Sequence, residues 1–137
     1  MEKPLEKSMK ILLFGENDTS FESTKLMFLS ASEKVLTAYS IEQTEWIICN
    51  EKPDMILMDL ASQIDKGLSF CSRIRRLTSI PIIVISVFNE PQDIAALLNS
   101  GADDFIEKPT SIEMVTARIN KLLRRVKVYS PPVTASI

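Results

Sequence analysis

The stretch Pro-Asp-Met-Ile-Leu-Met-Asp-Leu at residues 53–60 decides the fold, because a short apolar run in it ends abruptly at the carboxylate of Asp59. The run is too short for a helix, and it lies between Pro53 and a polar loop. This pattern is typical of a strand buried on both faces of a parallel sheet. Ligands and reactive groups collect at the carboxyl edge of such sheets. Asp59 is therefore either a reactive carboxylate or, as is commoner for a single Asp, the cap of the next turn.

Composition limits the class of protein. The chain has 137 residues, 45% hydrophobic and 25% charged, which suits one domain with a single core. Its net charge of -2 leaves no broad basic field for a nucleic-acid backbone, so DNA contact would need another domain. There is no histidine, and Cys49 and Cys71 form no paired motif. Zinc sites and histidine-based catalysis are therefore excluded.

No part of the sequence predicts a membrane segment. The longest apolar stretch, residues 80–88, is far too short to span a bilayer, and the N-terminus lacks the pattern of a signal sequence. We expect a cytoplasmic protein with reduced thiols and no membrane contact. Residues 1–8 are predicted to be a disordered leader, residues 9–127 the folded domain, and residues 128–137 a linker or tail.

Apolar runs and amphipathic segments alternate along the folded part. Strands are predicted at residues 9–14, 34–39, 55–58, 81–85 and 104–106, the second of them at a sheet edge. Helices are predicted from about residue 19 to 31, from 41 to about 50, after Gly67, from about Pro91 until Gly101 stops it, and after Thr110. Five strands alternating with five helices predict an α/β fold with a doubly wound parallel sheet and right-handed crossovers.

Local signals predict the helix ends and the buried faces. Asp18 or Thr19 is expected to cap the first helix, and Gly67 to make a tight turn into the third. Further caps are predicted at Ser40 and Thr110. In the third helix, Phe70, Cys71 and Ile74 should face the core, and Arg73, Arg75 and Arg76 should face water. In the last helix the residues expected to be buried are Ile112, Val115, Ile119, Leu122 and Val126.

Four polar residues each come just after a predicted strand, so the fold should gather them at one edge: Glu16, Asp59, Ser86 and Lys108. A carboxylate can attack a phosphoryl group if the approaching negative charges are neutralised. Glu16, Asp59 and a backbone carbonyl near Ala61 would suit Mg²⁺. Lys108 and Ser86 would contact phosphoryl oxygens. Each residue alone also has an ordinary structural explanation, and the isomer of the Lys108–Pro109 bond is left open.

Together these stretches resemble the receiver domain of two-component response regulators, from Met9 to about Arg125. The matching segments are residues 10–14, residues 53–59 with Gly67 eight residues on, residues 81–86, and Gly-Ala-Asp-Asp-Phe-Ile-Glu-Lys-Pro at 101–109. The resemblance implies a flavodoxin-like (CheY-like) fold, with a five-stranded parallel sheet of order 2-1-3-4-5 and five flanking helices. It also implies that Asp59 is the phosphoacceptor, Ser86 the switch hydroxyl, Phe105 the switch aromatic and Lys108 the phosphate-contacting lysine.

The acidic site departs from the family pattern. Members usually carry two adjacent acids after the first strand, where this chain has Gly15 and Glu16. Gln63 also replaces a usual proline, and Thr110 a usual aromatic. Loss of one carboxylate should weaken Mg²⁺ binding. We therefore expect a receiver whose phosphorylation is impaired, or which signals by another route.

The end of the chain resembles receivers of OmpR/PhoB-type transcription factors, which form homodimers through the fourth helix, fifth strand and fifth helix. In that family, charged pairs across the interface match Asp104 with Arg118 and Asp103 with Arg125. A third pair is replaced here by Ile94 and Met114, which implies an apolar contact and a dimer that depends little on phosphorylation. The alternative, equally weighted, is that Ile94 faces the core.

Three functions follow from the sequence. The first is a phosphoaccepting domain that is no enzyme, receives its phosphoryl group from a sensor histidine kinase, and controls dimerisation of a regulator. That regulator would bind DNA only through an output domain not in this chain. The second is a pseudo-receiver that acts as a dimerisation module without phosphorylation. The third, a flavodoxin-like enzyme, is disfavoured because the loop after the first strand is too acidic for a flavin phosphate.

Overall fold

The computed structural model describes residues 9–16, 18–30, 34–61, 63–88 and 90–129. The predicted leader, the end of the predicted tail and the side chain of Val126 lie outside what is described. The strands are β1 (Lys10–Gly15), β2 (Lys34–Ala38), β3 (Met55–Leu60), β4 (Ile82–Ser86) and β5 (Asp104–Glu107). The helices are α1 (Thr19–Leu29), α2 (Ile41–Glu51), α3 (Ile64–Leu77), α4 (Pro91–Ser100) and α5 (Ile112–Tyr129).

The five strands form one parallel sheet in the order β2-β1-β3-β4-β5. This confirms the predicted fold class and the flavodoxin-like strand order. β3 lies at the centre, and every residue of β3 and β4 is buried. Two core layers explain why: α1 and α5 cover one face of the sheet, and α2, α3 and α4 cover the other. β2 is the half-exposed edge strand that its polar sequence predicted.

Side-chain caps fix the starts of three helices. Asp18 Oδ1 accepts a hydrogen bond from the N–H of Phe21 at 2.8 Å, so Asp18 rather than Thr19 caps α1. Ser40 caps α2 as predicted, through the N–H of Gln43 at 3.1 Å. The predicted cap of α5 at Thr110 was wrong by one residue, because Ser111 Oγ accepts from the N–H of Met114 at 3.2 Å. Thr110 and Ser111 are adjacent hydroxyl residues, and spacing alone did not separate them.

Gly67 does not make the predicted tight turn. It lies inside the first turn of α3, which begins at Ile64. A Cβ at this position would stand 2.5 Å from Leu60 Cδ2 and 3.1 Å from Leu97 Cδ2. The glycine is therefore required for close packing of α3 against β3 and α4, and not for an unusual backbone conformation.

The inward face of α3 agrees with the prediction, whereas one outward residue does not. Phe70, Cys71 and Ile74 are fully buried, and burial raises the pKa of the Cys71 thiol to about 11, so this cysteine packs and does not react at neutral pH. Arg75, predicted to face water, turns back onto the protein. Its guanidinium donates to the carbonyl of Gly101 at 2.7 Å, to that of Ile80 at 2.8 Å and to Asp103 at 2.7 Å. The long aliphatic part of the arginine side chain lets the guanidinium reach these partners, and residue spacing alone does not predict such contacts.

We predict that Gly101→Ala lowers the free energy of unfolding by about 1–3 kcal/mol. Gly101 ends α4 with φ of 134°, and a Cβ there would lie 3.0 Å from Arg75 Cβ and 3.1 Å from the carbonyl oxygen of Cys71. Urea denaturation followed by circular dichroism measures the change. The exposed neighbour Asn99→Ala serves as control and should shift stability by less than about 0.5 kcal/mol. Equal stability of Gly101→Ala and the wild type would contradict the prediction.

Candidate functional site

Asp59 lies near the carboxyl end of the central strand, and its carboxylate is almost fully buried. Its side chain is 4% exposed, and its backbone is in register with Gly15 of β1 and Ile85 of β4. Lys108 Nζ donates to both carboxylate oxygens, at 2.8 Å each. The N–H of Lys108 also donates to the carbonyl of Ser86 at 2.8 Å, and the Lys108–Pro109 peptide bond is cis. The structure thus brings together the acid and the amine that the sequence placed at this edge.

Thr24 is a site residue that the sequence analysis missed. Its hydroxyl, in the middle of α1, donates to Asp59 Oδ2 at 2.6 Å, and the side chain is buried. The overlooked signal is positional: Thr24 stands between Phe21 and Phe28 on the inward face of α1, where the other buried residues are apolar. A polar residue on a buried helix face needs a hydrogen-bond partner. Here the shorter bond goes to the carboxylate, and the carbonyl of Ser20 is a second acceptor at 3.3 Å.

The space in which an acidic side chain at position 15 would lie is occupied by the ring of Phe21. A Cβ on Gly15 would stand 2.4 Å from Phe21 Cδ1. Phe21 is 1% exposed and its ring packs edge-on against Tyr39, with centroids 5.5 Å apart. An aromatic ring therefore occupies the room into which an acidic side chain at position 15 would project.

Glu16 and Ser86 form other contacts than those predicted for them. Glu16 Oε1 accepts from Lys66 Nζ of α3 at 3.0 Å, in a largely exposed ion pair. Ser86 is fully buried at the end of β4, where its Oγ accepts a hydrogen bond from the N–H of Phe88 at 3.4 Å. Phe105, the predicted switch aromatic, is half-buried, with its ring centroid 5.7 Å from that of Phe88.

Receiver domains commonly bind Mg²⁺ at their acidic site, and the donor set here does not fit that ion well. Among the described residues, no group of three or more Asp, Glu, His or Cys side chains is arranged to hold a metal. The carboxylates of Glu16 and Asp59 are each paired with a lysine, and Ala61 contributes at most its backbone carbonyl. Mg²⁺ requires oxygen ligands in near-octahedral geometry, and these carboxylates would first have to leave their lysine partners.

A cavity of about 380 Å³ lies beside the Asp59–Lys108 pair. Its lining includes the hydroxyls of Ser20, Ser23, Thr24 and Thr110 together with the Lys108 side chain. Lys108 Nζ donates to Ser20 Oγ as well as to Asp59. The rest of the lining is apolar, formed by Met27, Ile85, Val87 and Pro109, and Asp59 itself does not line the cavity. The ammonium and hydroxyl groups on one wall favour an anion there.

A second groove, of about 600 Å³, lies over the face formed by α4, β5 and α5. Ile94, Leu98 and Met114 contribute apolar surface to it, and Ile94 is half-buried in the groove rather than packed in the core. Three of the four charged residues predicted to pair across a dimer, namely Asp103, Asp104 and Arg118, have partners within the chain. Asp104 accepts from Arg118 at 2.8 Å, and Asp103 accepts from Arg75.

The chain belongs to the response regulator receiver domain family, whose profile matches residues 11–120. It is a receiver domain of a two-component response regulator of the OmpR/PhoB type, with an atypical acidic site. Among the residues that the structure describes, every helix is too short or too polar to traverse a lipid bilayer.

Similar proteins include transcriptional regulators of known name. The chain is 33% identical over 115 residues to the transcriptional regulatory protein AfsQ1 of Streptomyces coelicolor, covering 84% of this chain and 51% of that protein. It is 42% identical over 95 residues to the transcriptional regulatory protein KdpE of Staphylococcus aureus, covering 69% and 41%. A two-component response regulator from Clostridium difficile has a similar structure, with a TM-score of 0.71 and 27% identity over 86% of this chain and 98% of that one. The chain spans about half the length of the curated relatives it matches.

We predict that Lys108→Met lowers the free energy of unfolding by about 2–4 kcal/mol, because it leaves the buried carboxylate of Asp59 without its counter-charge. Urea denaturation at neutral pH measures the loss. Lys66→Met is the matched control: it removes the same group from the exposed pair with Glu16 and should cost less than about 1 kcal/mol. Equal losses for the two variants would contradict this account of the site.

Proposed function

We propose that this receiver domain accepts a phosphoryl group on Asp59 and thereby biases the dimerisation of a transcription factor. The observation that carries the proposal is the contact of Lys108 Nζ with both Asp59 oxygens, 2.8 Å away, at the carboxyl edge of the sheet. Acyl phosphate formation needs a carboxylate as nucleophile and a nearby positive charge to neutralise the phosphoryl oxygens, and Asp59 and Lys108 are placed to supply them.

The proposed reaction uses the chain's own groups. An Asp59 oxygen attacks the phosphorus of the donor, the bond from phosphorus to the leaving group breaks, and the leaving group departs with its electron pair. The product is an acyl phosphate on Asp59. Lys108 then shifts from the carboxylate to the phosphoryl oxygens, and Ser86, whose Oγ accepts from the Phe88 N–H, donates its own O–H to a phosphoryl oxygen.

The proposed phosphorylation is slow. Gly15 supplies no carboxylate, Glu16 is paired with Lys66, and Mg²⁺ binding is correspondingly weak. Asp59 Oδ2 also accepts a hydrogen bond from the buried Thr24 hydroxyl, which makes that oxygen less available for attack. The resting site therefore resists transfer until Thr24 releases the carboxylate.

The proposed partners follow from the family and from the names of the relatives. A sensor histidine kinase would supply the phosphoryl group, and a DNA-binding output domain outside this chain would carry the response. AfsQ1 and KdpE are named transcriptional regulatory proteins, and this chain covers 51% of the first and 41% of the second. The domain itself would then be a switch with no catalytic turnover of a substrate.

Incubation with a small phosphodonor and Mg²⁺ tests the role of Asp59. We expect intact-mass spectrometry to find a slow gain of one phosphoryl group per chain, absent in Asp59→Ala. Asp54→Ala is the control that should keep the gain, because Asp54 lies at the opposite end of β3, where it binds the N–H of Lys10. No gain in the wild type, or a gain retained in Asp59→Ala, would remove Asp59 phosphorylation from the proposed function.

A second candidate function is a dimerisation module that works without phosphorylation. The groove over α4, β5 and α5 supports it, because Met114 is 48% exposed and Leu98 is 41% exposed beside Ile94. Large apolar side chains grouped on one face mark an interaction surface. Arg118 lies at the edge of this groove in its pair with Asp104 and could exchange partners with a second copy.

Met114→Asp tests this interface. Light scattering should give a dimer for the wild type and a dissociation constant raised at least about tenfold in the variant, because the substitution places an unpaired charge in an apolar contact. Met114→Leu keeps the apolar contact and should keep the dimer. A dimer unchanged by Met114→Asp would refute this interface.

A further inference from the structure

The two carboxylates predicted to bind a cation are each held by an ammonium group of the chain. Lys66 Nζ lies 3.0 Å from Glu16 Oε1, and Lys108 Nζ lies 2.8 Å from both Asp59 oxygens. Glu16 follows directly on Gly15, the register partner of Asp59, so both ion pairs stand at the same edge of the sheet. Two negative charges are matched by two positive charges. Lys108 is the family lysine, whereas Lys66 is an added positive charge beside Glu16 that would repel an entering divalent cation.

Thr24 adds a third donor to this arrangement. Asp59 Oδ2 accepts from both the Thr24 hydroxyl, at 2.6 Å, and Lys108, at 2.8 Å. A carboxylate oxygen has two lone-pair sites in its plane, so Oδ2 is already fully used. Thr24 is only 6% exposed, and water therefore competes poorly with its hydrogen bond. A metal ion could reach Oδ2 only by displacing one of these donors.

Packing also leaves no room for a third carboxylate at position 15 unless neighbouring side chains move. The Phe21 ring lies 2.4 Å from where a Cβ on Gly15 would be, and it is wedged between the sheet and Tyr39. The glycine, the ring and the two ion pairs are thus mutually consistent. The absence of an acid at position 15 is therefore one part of a wider change in the site, which also involves the packing of Phe21 and the two ion pairs.

We propose that Lys66 and Thr24 take the place of a divalent cation in this receiver: Lys66 neutralises Glu16 and repels cations, and Thr24 occupies Asp59 Oδ2 beside the Lys108 contact. The inference deepens the proposed function and rests on it only for the role of Asp59. Its consequence is that the folded state gains no stability from Mg²⁺, because a ligand stabilises a protein only if it binds the folded form.

A Mn²⁺ titration of the full chain tests the proposal, with the free ion followed by electron paramagnetic resonance. We expect weak binding by the wild type and about three- to tenfold tighter binding by Lys66→Gln, which frees Glu16 and removes one repelling charge. Lys66→Arg keeps the positive charge and should bind as weakly as the wild type. Lys121→Gln removes a charge from an exposed position on α5 and should also leave binding unchanged.

Thr24 has its own matched pair of variants. Thr24→Val keeps the shape and loses the hydroxyl, so it should tighten Mn²⁺ binding, whereas Thr24→Ser keeps a donor and should stay near the wild type. Thermal unfolding with millimolar Mg²⁺ or with EDTA should give the same melting temperature for the wild type and a higher one in Mg²⁺ for the Lys66→Gln/Thr24→Val double variant.

Two results would overturn the proposal. One is a wild type whose melting temperature rises in Mg²⁺, and the other is a Lys66→Gln variant that binds Mn²⁺ no more tightly than Lys121→Gln. Neither measurement uses a phosphodonor. Failure here therefore leaves the role of Asp59 untouched, and a missing phosphoryl gain in the mass experiment says nothing about ion binding.

Discussion

The contact between Asp59 and Lys108 is the constraint on which the functional edge of this molecule depends. It joins residues 49 positions apart, and it forms only because β3 and β5 both run toward the same edge, with β4 between them. Both side chains are largely withdrawn from water, so each needs the other to offset the cost of burying its charge. The same ion pair that forms the site therefore also contributes to the stability of the fold, and it can form only with this strand order.

Around that pair, an aromatic ring and hydrogen-bond donors of the chain occupy the positions beside the carboxylates. Phe21 fills the room beside Gly15, Thr24 binds Asp59 from α1, and Lys66 holds Glu16 from α3. Elements from both faces of the sheet thus converge on one carboxylate and its neighbour. A change at Asp59 that displaces Lys108 must affect both α1 and the loop before α5, because Lys108 is hydrogen-bonded to both Ser20 and Asp59.

The connection from this edge toward the α4-β5-α5 face runs through short segments. Ser86 ends β4, its hydroxyl binds the N–H of Phe88, and the Phe88 ring packs near Phe105 of β5. Further from the site, Arg75 ties the end of α3 to Gly101 and Asp103. The start of β5 is therefore fixed within the chain, whereas Leu98 and Met114 on the flanking helices stay exposed. This combination of a braced strand and open apolar helices is suited to a surface that contacts another molecule.

The sequence by itself determined the fold and most of the edge. Apolar runs ending at Asp59 and Ser86, alternating with capped helices, admit few arrangements other than a doubly wound parallel sheet, and that sheet necessarily gathers its strand ends. Only the tertiary structure decided what each polar group touches. Thr24 and Arg75 reach partners far away in the chain, Gly67 is needed by its neighbours rather than by its backbone, and Glu16 turns to Lys66. Periodicity reports which face of an element is buried, but hydrogen bonds and ion pairs depend on how separate elements pack, which local pattern does not encode.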